Sequence, residues 1–164
     1  GRYAHLGWLK RPRRHDHEVA DRALAEMNLA DLADRQIGEL SGGQQQRVML
    51  ARTLAQEADL LLLDEPLNNL DVPTQELIFH VIEDQTAHGK TVIVSTHDLG
   101  LLPVHFSRAV FLDRRIVRDG PVDDVLTPET IAQAYGFRLC TDCEDEAILG
   151  RLTGPTPDVI PPRR

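Results

Sequence analysis

Leu60-Leu61-Leu62-Leu63-Asp64-Glu65-Pro66 is the stretch on which the fold turns. Four apolar residues closed by two carboxylates and a proline read as a strand buried on both faces of a parallel sheet, with polar groups at its C-terminal edge. Ligands of open α/β sheets bind at that edge, so Asp64 and Glu65 mark where a site would lie. Downstream, Asp71 as cap and Pro73 in the first turn start a helix with Leu77, Ile78, Val81 and Ile82 inward, ending before Gly89. Thr91 to Ser95 reads as another buried strand. Residues 60 to 95 thus form one βαβ unit, whose crossover should be right-handed.

Upstream, Leu40-Ser41-Gly42-Gly43-Gln44 opens a helix. Ser41 and Gln44 have the three-residue offset of a capping box, and Val48, Ala51, Leu54 and Ala55 supply the buried stripe. Earlier still, Asp16 can cap an amphipathic helix with Val19, Ala20, Ala23, Leu24 and Met27 at helical spacing, and a polar connection from Asp31 to Glu39 follows. Towards the C-terminus, Ala109 to Leu112 and Ile116 to Val122 suggest a hairpin. Thr127-Pro128 caps a last helix that stops at Gly136. Residues 138–164 read as a disordered tail, since four of the ten prolines fall in the last ten residues.

Composition bounds what such a chain can be. Its 164 residues fit one domain with a real core and exclude a multidomain machine. With 26 acidic against 18 basic side chains and a net charge of -8, a nucleic-acid binder relying on overall positive charge is disfavoured. Arg2, Lys10, Arg11, Arg13 and Arg14 form a local basic stretch without an acid, where a polar partner is conceivable. No apolar run approaches the roughly 20 residues needed to cross a bilayer. The start at Gly1, without Met or an apolar signal segment, suggests a fragment of a protein of the cytosol.

The order of the pieces is more informative than any one of them: a Ser-Gly-Gly-Gln helix start, an apolar strand ending Asp-Glu, an Asn-Leu-Asp turn, then a strand followed by His97. This order resembles an ABC-type ATPase cassette over roughly residues 1 to 137. The resemblance implies an α/β fold, a partial P-loop NTPase with a helical subdomain and an incomplete parallel sheet. It sets residues 1–55 as the helical subdomain with the signature motif and 56–137 as the C-terminal part of the RecA-like ATPase core. Leu40 to Gln44 matches the family's signature sequence, Leu60 to Glu65 its Walker B strand, Leu70-Asp71 its D-loop and His97 its switch histidine.

Each motif has a physical reason to be what it is. At a helix start, unpaired N–H groups and the positive dipole end face outward, and Gly42 and Gly43 have no Cβ to hold a phosphate away. A plain cap is the alternative for Ser41 to Gln44, but two glycines in a first turn lower helix stability by ~1 kcal/mol each. The resemblance makes Ser41, Gly42, Gly43 and Gln44 ATP contacts at the γ-phosphate. It has Asp64 hold Mg2+ through water and Glu65 polarise the attacking water. For an isolated Leu-Leu-Leu-Asp-Glu, a buried strand with a solvated acidic turn would be the better reading. His97, alone among the seven histidines, has the matching context and would donate to the γ-phosphate. Asp71 would sense an opposing subunit while also capping its helix.

A phosphate-binding loop requires G-x-x-x-x-G-K-[ST], and Gly89-Lys90-Thr91 fails it because position 84 is Asp and a strand follows. The expectation is therefore a C-terminal cassette fragment lacking the Walker A loop, inactive alone, with an apolar sheet face laid bare. The stretches 1–8, 32–44 and 111–136 look like cassettes that energise bacterial importers of manganese, zinc or iron ions. That resemblance implies ATP and Mg2+, a second cassette docked head to tail, transmembrane permease subunits, no nucleic acid, and a peripheral place at the cytoplasmic face of the bacterial inner membrane. Trp8 and Leu9 are candidate permease contacts or ordinary core residues. Cys140 and Cys143, a single CxxC without a second pair, read as reduced surface thiols rather than a metal site. Two other functions stay open: a non-catalytic short cassette or gene remnant that lends its signature to a partner, and an ABC ATPase outside transport.

Overall fold

The computed structural model describes residues 1–6 and 11–135. The expectations for Trp8, Leu9, Gly136, the cysteine pair and the tail lie outside them. The chain divides after Thr96 into two compact units.

The first unit carries α1 (Arg14–Glu26), α2 (Gly42–Leu54), β1 (Leu60–Asp64), α3 (Val72–Ala87) and β2 (Thr91–Ser95), with short 3-10 turns at Arg2–His5, Ala30–Leu32 and Ile37–Glu39. Helix α1 begins three residues earlier than a cap at Asp16 would allow. Asp16 sits in the first turn, where its Oδ2 accepts the backbone N–H of Arg13 at 2.8 Å and its Oδ1 accepts Arg2 Nε at 3.1 Å. The tertiary partner, Arg2, decides the difference. Its guanidinium also donates to the Ala55 carbonyl at 3.1 Å and to Glu57 Oε2 at 2.5 Å. Arg2, only 10% exposed, is thus consumed inside the unit rather than offered to a polar partner.

At its other end α1 closes on Asn28, whose φ of 53° lets the Leu29 N–H return to the Leu24 carbonyl at 2.9 Å. Leu29 is thereby buried beside the rest of the α1 stripe, Val19, Ala23 and Met27. Met27, Leu50, Leu61, Ile78 and Ile82 surround one internal gap of about 20 Å3, which marks where α1, α2, β1 and α3 share a core. Phe79 and Gln85 join the buried face of α3, whereas Leu77 and Val81 stay half-buried. Helix α3 ends at Ala87, and Gly89 takes the left-handed conformation (φ 83°) that turns the chain into β2.

Strands β1 and β2 pair in parallel, Leu60 opposite Thr91 through Asp64 opposite Ser95. The βαβ unit is therefore as read, but the two-faced burial is not. Leu61 is buried, whereas Leu60 is 51% and Leu62 67% exposed, as is Ile93 at 55%. An apolar run reports that a strand can be covered on both sides and not that it is.

The second unit holds a 3-10 turn at Leu99–Leu101, α4 (Leu102–His105), β3 (Arg108–Asp113), β4 (Arg115–Pro121), α5 (Val122–Val125) and α6 (Pro128–Tyr135). The hairpin β3–β4 turns at Arg114 (φ 54°) with a register shift between Phe111 and Leu112. Val122 begins a helix rather than ending a strand, because Pro121 closes the ladder and Val122 and Val125 pack with Leu99, Phe111 and Ile131. Thr127 Oγ1 accepts the Thr130 N–H at 3.3 Å, the cap expected of it. Among the described residues no helix is long and apolar enough to cross a membrane.

The Arg2 cluster makes the first unit acid-sensitive. The Arg13 N–H and then Arg2 hold the Asp16 carboxyl below its usual range, and Arg2 does the same for Glu57. Folded-state values below the unfolded ones contribute stability that is present above about pH 4 and lost as pH falls through the lowered values. The urea midpoint should therefore drop between pH 7 and pH 3, and Asp16→Asn should lower the pH 7 value while shrinking that drop. An equal drop in the variant would exclude Asp16 as a source.

Candidate functional site

The end of β1 is built around one serine. Parallel register sets Ser95 opposite Asp64. The Ser95 Oγ–H donates to Asp64 Oδ1 at 2.5 Å, and Ser95 Oγ accepts the backbone N–H of Glu65 at 2.9 Å. Glu65 itself adopts φ 45°, a left-handed conformation that costs a non-glycine residue about 1–2 kcal/mol. Its carboxylate Oε2 accepts the Asn68 Nδ2–H. All three of Asp64, Glu65 and Ser95 are exposed.

The turn that follows is tied down from both sides. Gln46 of α2 donates to the Pro66 carbonyl at 3.4 Å, and Gln75 of α3 donates to the Leu67 carbonyl at 3.2 Å. Pro66 and Leu67 are buried, which fixes the height at which Glu65 leaves the strand. Asp71 takes the N-cap position of α3, where its backbone carbonyl accepts the N–H groups of Thr74 and Gln75, both at 3.0 Å. Its side chain makes no cap hydrogen bond, so the capping expected of that carboxylate is done by the main chain.

At the start of α2 the capping box forms as the spacing requires. Ser41 Oγ accepts the Gln44 N–H at 3.3 Å and Gln44 Oε1 accepts the Ser41 N–H at 2.9 Å. Gly42 and Gly43 follow as the first two helical residues, whose N–H groups have no acceptor within a helix. A Cβ on Gly42 would meet nothing within 4 Å, and one on Gly43 would stand 3.7 Å from Leu70 Cδ2. The structure therefore brings the glycine pair beside the Leu70-Asp71 turn. An open glycine pair at the positive end of a 13-residue helix suits a phosphate.

His97 lies two residues past β2, exposed, and is the first residue of the second unit. The residues that motif reading passes over are Ser95, Asn68, Gln46 and Gln75. Ser95 could have been found from the strand register alone, whereas the others carry no signal before the turn is folded.

Asp64 fits Mg2+ on the chemistry of its donors. The ion takes hard oxygens and is held by one or two carboxylates, with water and substrate phosphates completing the shell. Among the described residues no three His, Cys, Asp or Glu side chains gather as a metal cluster. A cavity of about 310 Å3 is lined by Arg22, Glu26, Glu57, His88 and Lys90 among others and includes none of these site residues.

Residues 5–68 match the family model of the ABC transporter. Over 149 residues the chain is 39% identical to the manganese transport system ATP-binding protein MntB of Halalkalibacterium halodurans, covering 91% of this chain and 60% of that protein. The chain is similar to ATP-binding proteins of ABC transporters. Over 139 residues it is 41% identical to the zinc transport system ATP-binding protein TroB of Treponema pallidum, covering 85% of this chain and 52% of that one. Among solved structures, an inward-facing metal-chelate type ABC transporter matches with a TM-score of 0.75 at 31% identity, over 82% of this chain and 54% of that one. The chain thus spans a little over half the length of these relatives. Its fold resembles an ABC ATPase cassette with reduced, unclosed sheets and a helical subdomain.

The family match corrects one expectation. The ABC domain is present over residues 5–68, in the N-terminal half, and is not restricted to a C-terminal fragment lacking Walker A. One missing short motif says less about a chain than matching residues spread along it.

Gly42 separates stability from any ligand role. With open space around its Cβ position, Gly42→Ala should raise the stability of the chain by up to about 1 kcal/mol through helix propensity. A lower thermal midpoint in the variant would show that the conformation at this glycine is itself required.

Proposed function

We propose that the chain is part of the ATP-hydrolysing subunit of an ABC importer that carries manganese, zinc or iron ions. The observation that carries this reading is the Asp64–Glu65 pair held by one serine at the carboxyl edge of a parallel strand pair. The names of the manganese and zinc relatives support the ion class.

In this reading Glu65 is the general base. Its carboxylate, oriented by Asn68, polarises the attacking water and takes its proton. Asp64 would hold Mg2+ through water, and the ion, when bound, neutralises phosphate charge. Ser41 keeps its own hydroxyl proton to donate outward, because its Oγ accepts from Gln44, and the Gly42 and Gly43 N–H groups join it at the γ-phosphate with Gln44. His97 is proposed as a γ-phosphate donor.

The exposed start of α2 and the adjoining Asp71 face a second cassette, head to tail, so that one chain's signature completes the other's site. Residues 1–55 act as the helical subdomain that docks on transmembrane permease subunits at the cytoplasmic face of the bacterial membrane, and 56–137 act as ATPase core. No nucleic acid takes part.

Glu65→Gln in the full-length protein assembled with its permease tests the assignment. Turnover should fall by about 100-fold or more, the usual worth of a general base, while ATP binding persists. Unchanged turnover would remove Glu65 from that role.

A further inference from the structure

We infer that Ser95 is a positioning residue that locks the two carboxylates of the site into one geometry, an inference that rests on the proposed ATPase reading. A serine hydroxyl has one proton and two acceptor positions. The Glu65 N–H can only donate, so Ser95 Oγ accepts from it at 2.9 Å and spends its single proton on Asp64 Oδ1 at 2.5 Å. One side chain thereby fixes the rotamer of Asp64 and the backbone of Glu65.

The second half matters because Glu65 sits at φ 45°, where a non-glycine residue needs outside support. Released from Ser95, its backbone can relax towards an ordinary conformation and carry the carboxylate away from the place that Asn68 gives it. Displacements of about 1 Å at a reacting group can cost on the order of 100-fold in rate. Ser95, Asp64 and Glu65 are all exposed, so the hydroxyl contributes little to the core, and its loss acts on geometry before it acts on folding.

Register explains why this residue and no other can serve. Ser95 pairs with Asp64 across parallel strands, and the residue before it, Val94, points to the opposite face of the sheet. Threonine keeps the hydroxyl on a β-branched residue that strands favour, and the exposed face has room for its methyl.

Two variants, Ser95→Ala and Ser95→Thr, test the assignment by two independent readouts. In this chain, hydrogen exchange of the Glu65 amide should quicken roughly tenfold in Ser95→Ala, the scale of one lost hydrogen bond, and return to the native rate in Ser95→Thr. In the full-length protein with its permease, kcat should fall roughly tenfold in Ser95→Ala with KM for ATP unchanged, and Ser95→Thr should restore it. Native Glu65 exchange in Ser95→Ala overturns the inference, as does a Ser95→Thr variant no faster than Ser95→Ala. A wild-type complex without ATPase activity would instead overturn the proposed function, and the exchange rates would then decide the role of Ser95 alone.

Discussion

Parallel pairing of β1 with β2 is the constraint from which the site follows. Side chains alternate along a strand, so a slip of one residue would send Ser95 to the far face and leave both Asp64 and the Glu65 N–H without its hydroxyl. The register is held at the opposite end by the Thr91 N–H, which donates to the Asp59 carbonyl at 2.9 Å, and by α3, which packs against β2. Leu61, buried among Met27, Leu50 and Ile78, adds a side-chain reason for the same alignment. Core packing and chemistry therefore select one register.

Strain at Glu65 is balanced locally rather than across the molecule. A left-handed conformation at a non-glycine residue persists only where its neighbours over-determine it. Ser95 takes the Glu65 N–H, Asn68 its carboxylate, and Gln46 and Gln75 pin the two carbonyls that follow. Asn69, two residues before the Asp71 cap, is left-handed as well at φ 58°, so the turn holds two left-handed residues within five positions. Such a turn has few alternative shapes, which is what the roles proposed for the two adjacent carboxylates require.

Much of this was legible in the sequence, and the failures have physical causes. Ser41 and Gln44 announce their capping box because it is local: three residues separate donor from acceptor. The βαβ unit is legible because its apolar runs and its Asp71-Pro73 start repeat known periodicities. Asp16 misleads because its second partner, Arg2, lies fourteen positions away and comes near only on folding. Leu60 and Leu62 mislead because hydrophobicity records what a strand tolerates, whereas exposure depends on what packs against it. Ser95 ends a strand without any composition signal, and only pairing with Asp64 gives it a role. The expectation of a fragment without Walker A failed for another reason: it argued from a missing pattern, and the family match over residues 5–68 rests on the residues present.

The two halves of the candidate site carry opposite electrostatics, and this bears on how they can work together. The start of α2 offers N–H donors and the positive end of a helix dipole, which attract phosphate. The end of β1 offers two adjacent carboxylates, which repel it. A polyphosphate can approach Asp64 and Glu65 only with a divalent cation between them, so on the proposed reading the ion is needed for approach as well as for charge neutralisation. On the same reading Glu65, one residue further from the strand, with its carboxylate on Asn68 and its N–H on Ser95, is the base. Ser95 sets the division, because its single proton goes to Asp64 and only its lone pair to Glu65. The asymmetry of one hydroxyl group thus gives two neighbouring acids different surroundings, the condition under which one can hold a cation while the other receives a proton.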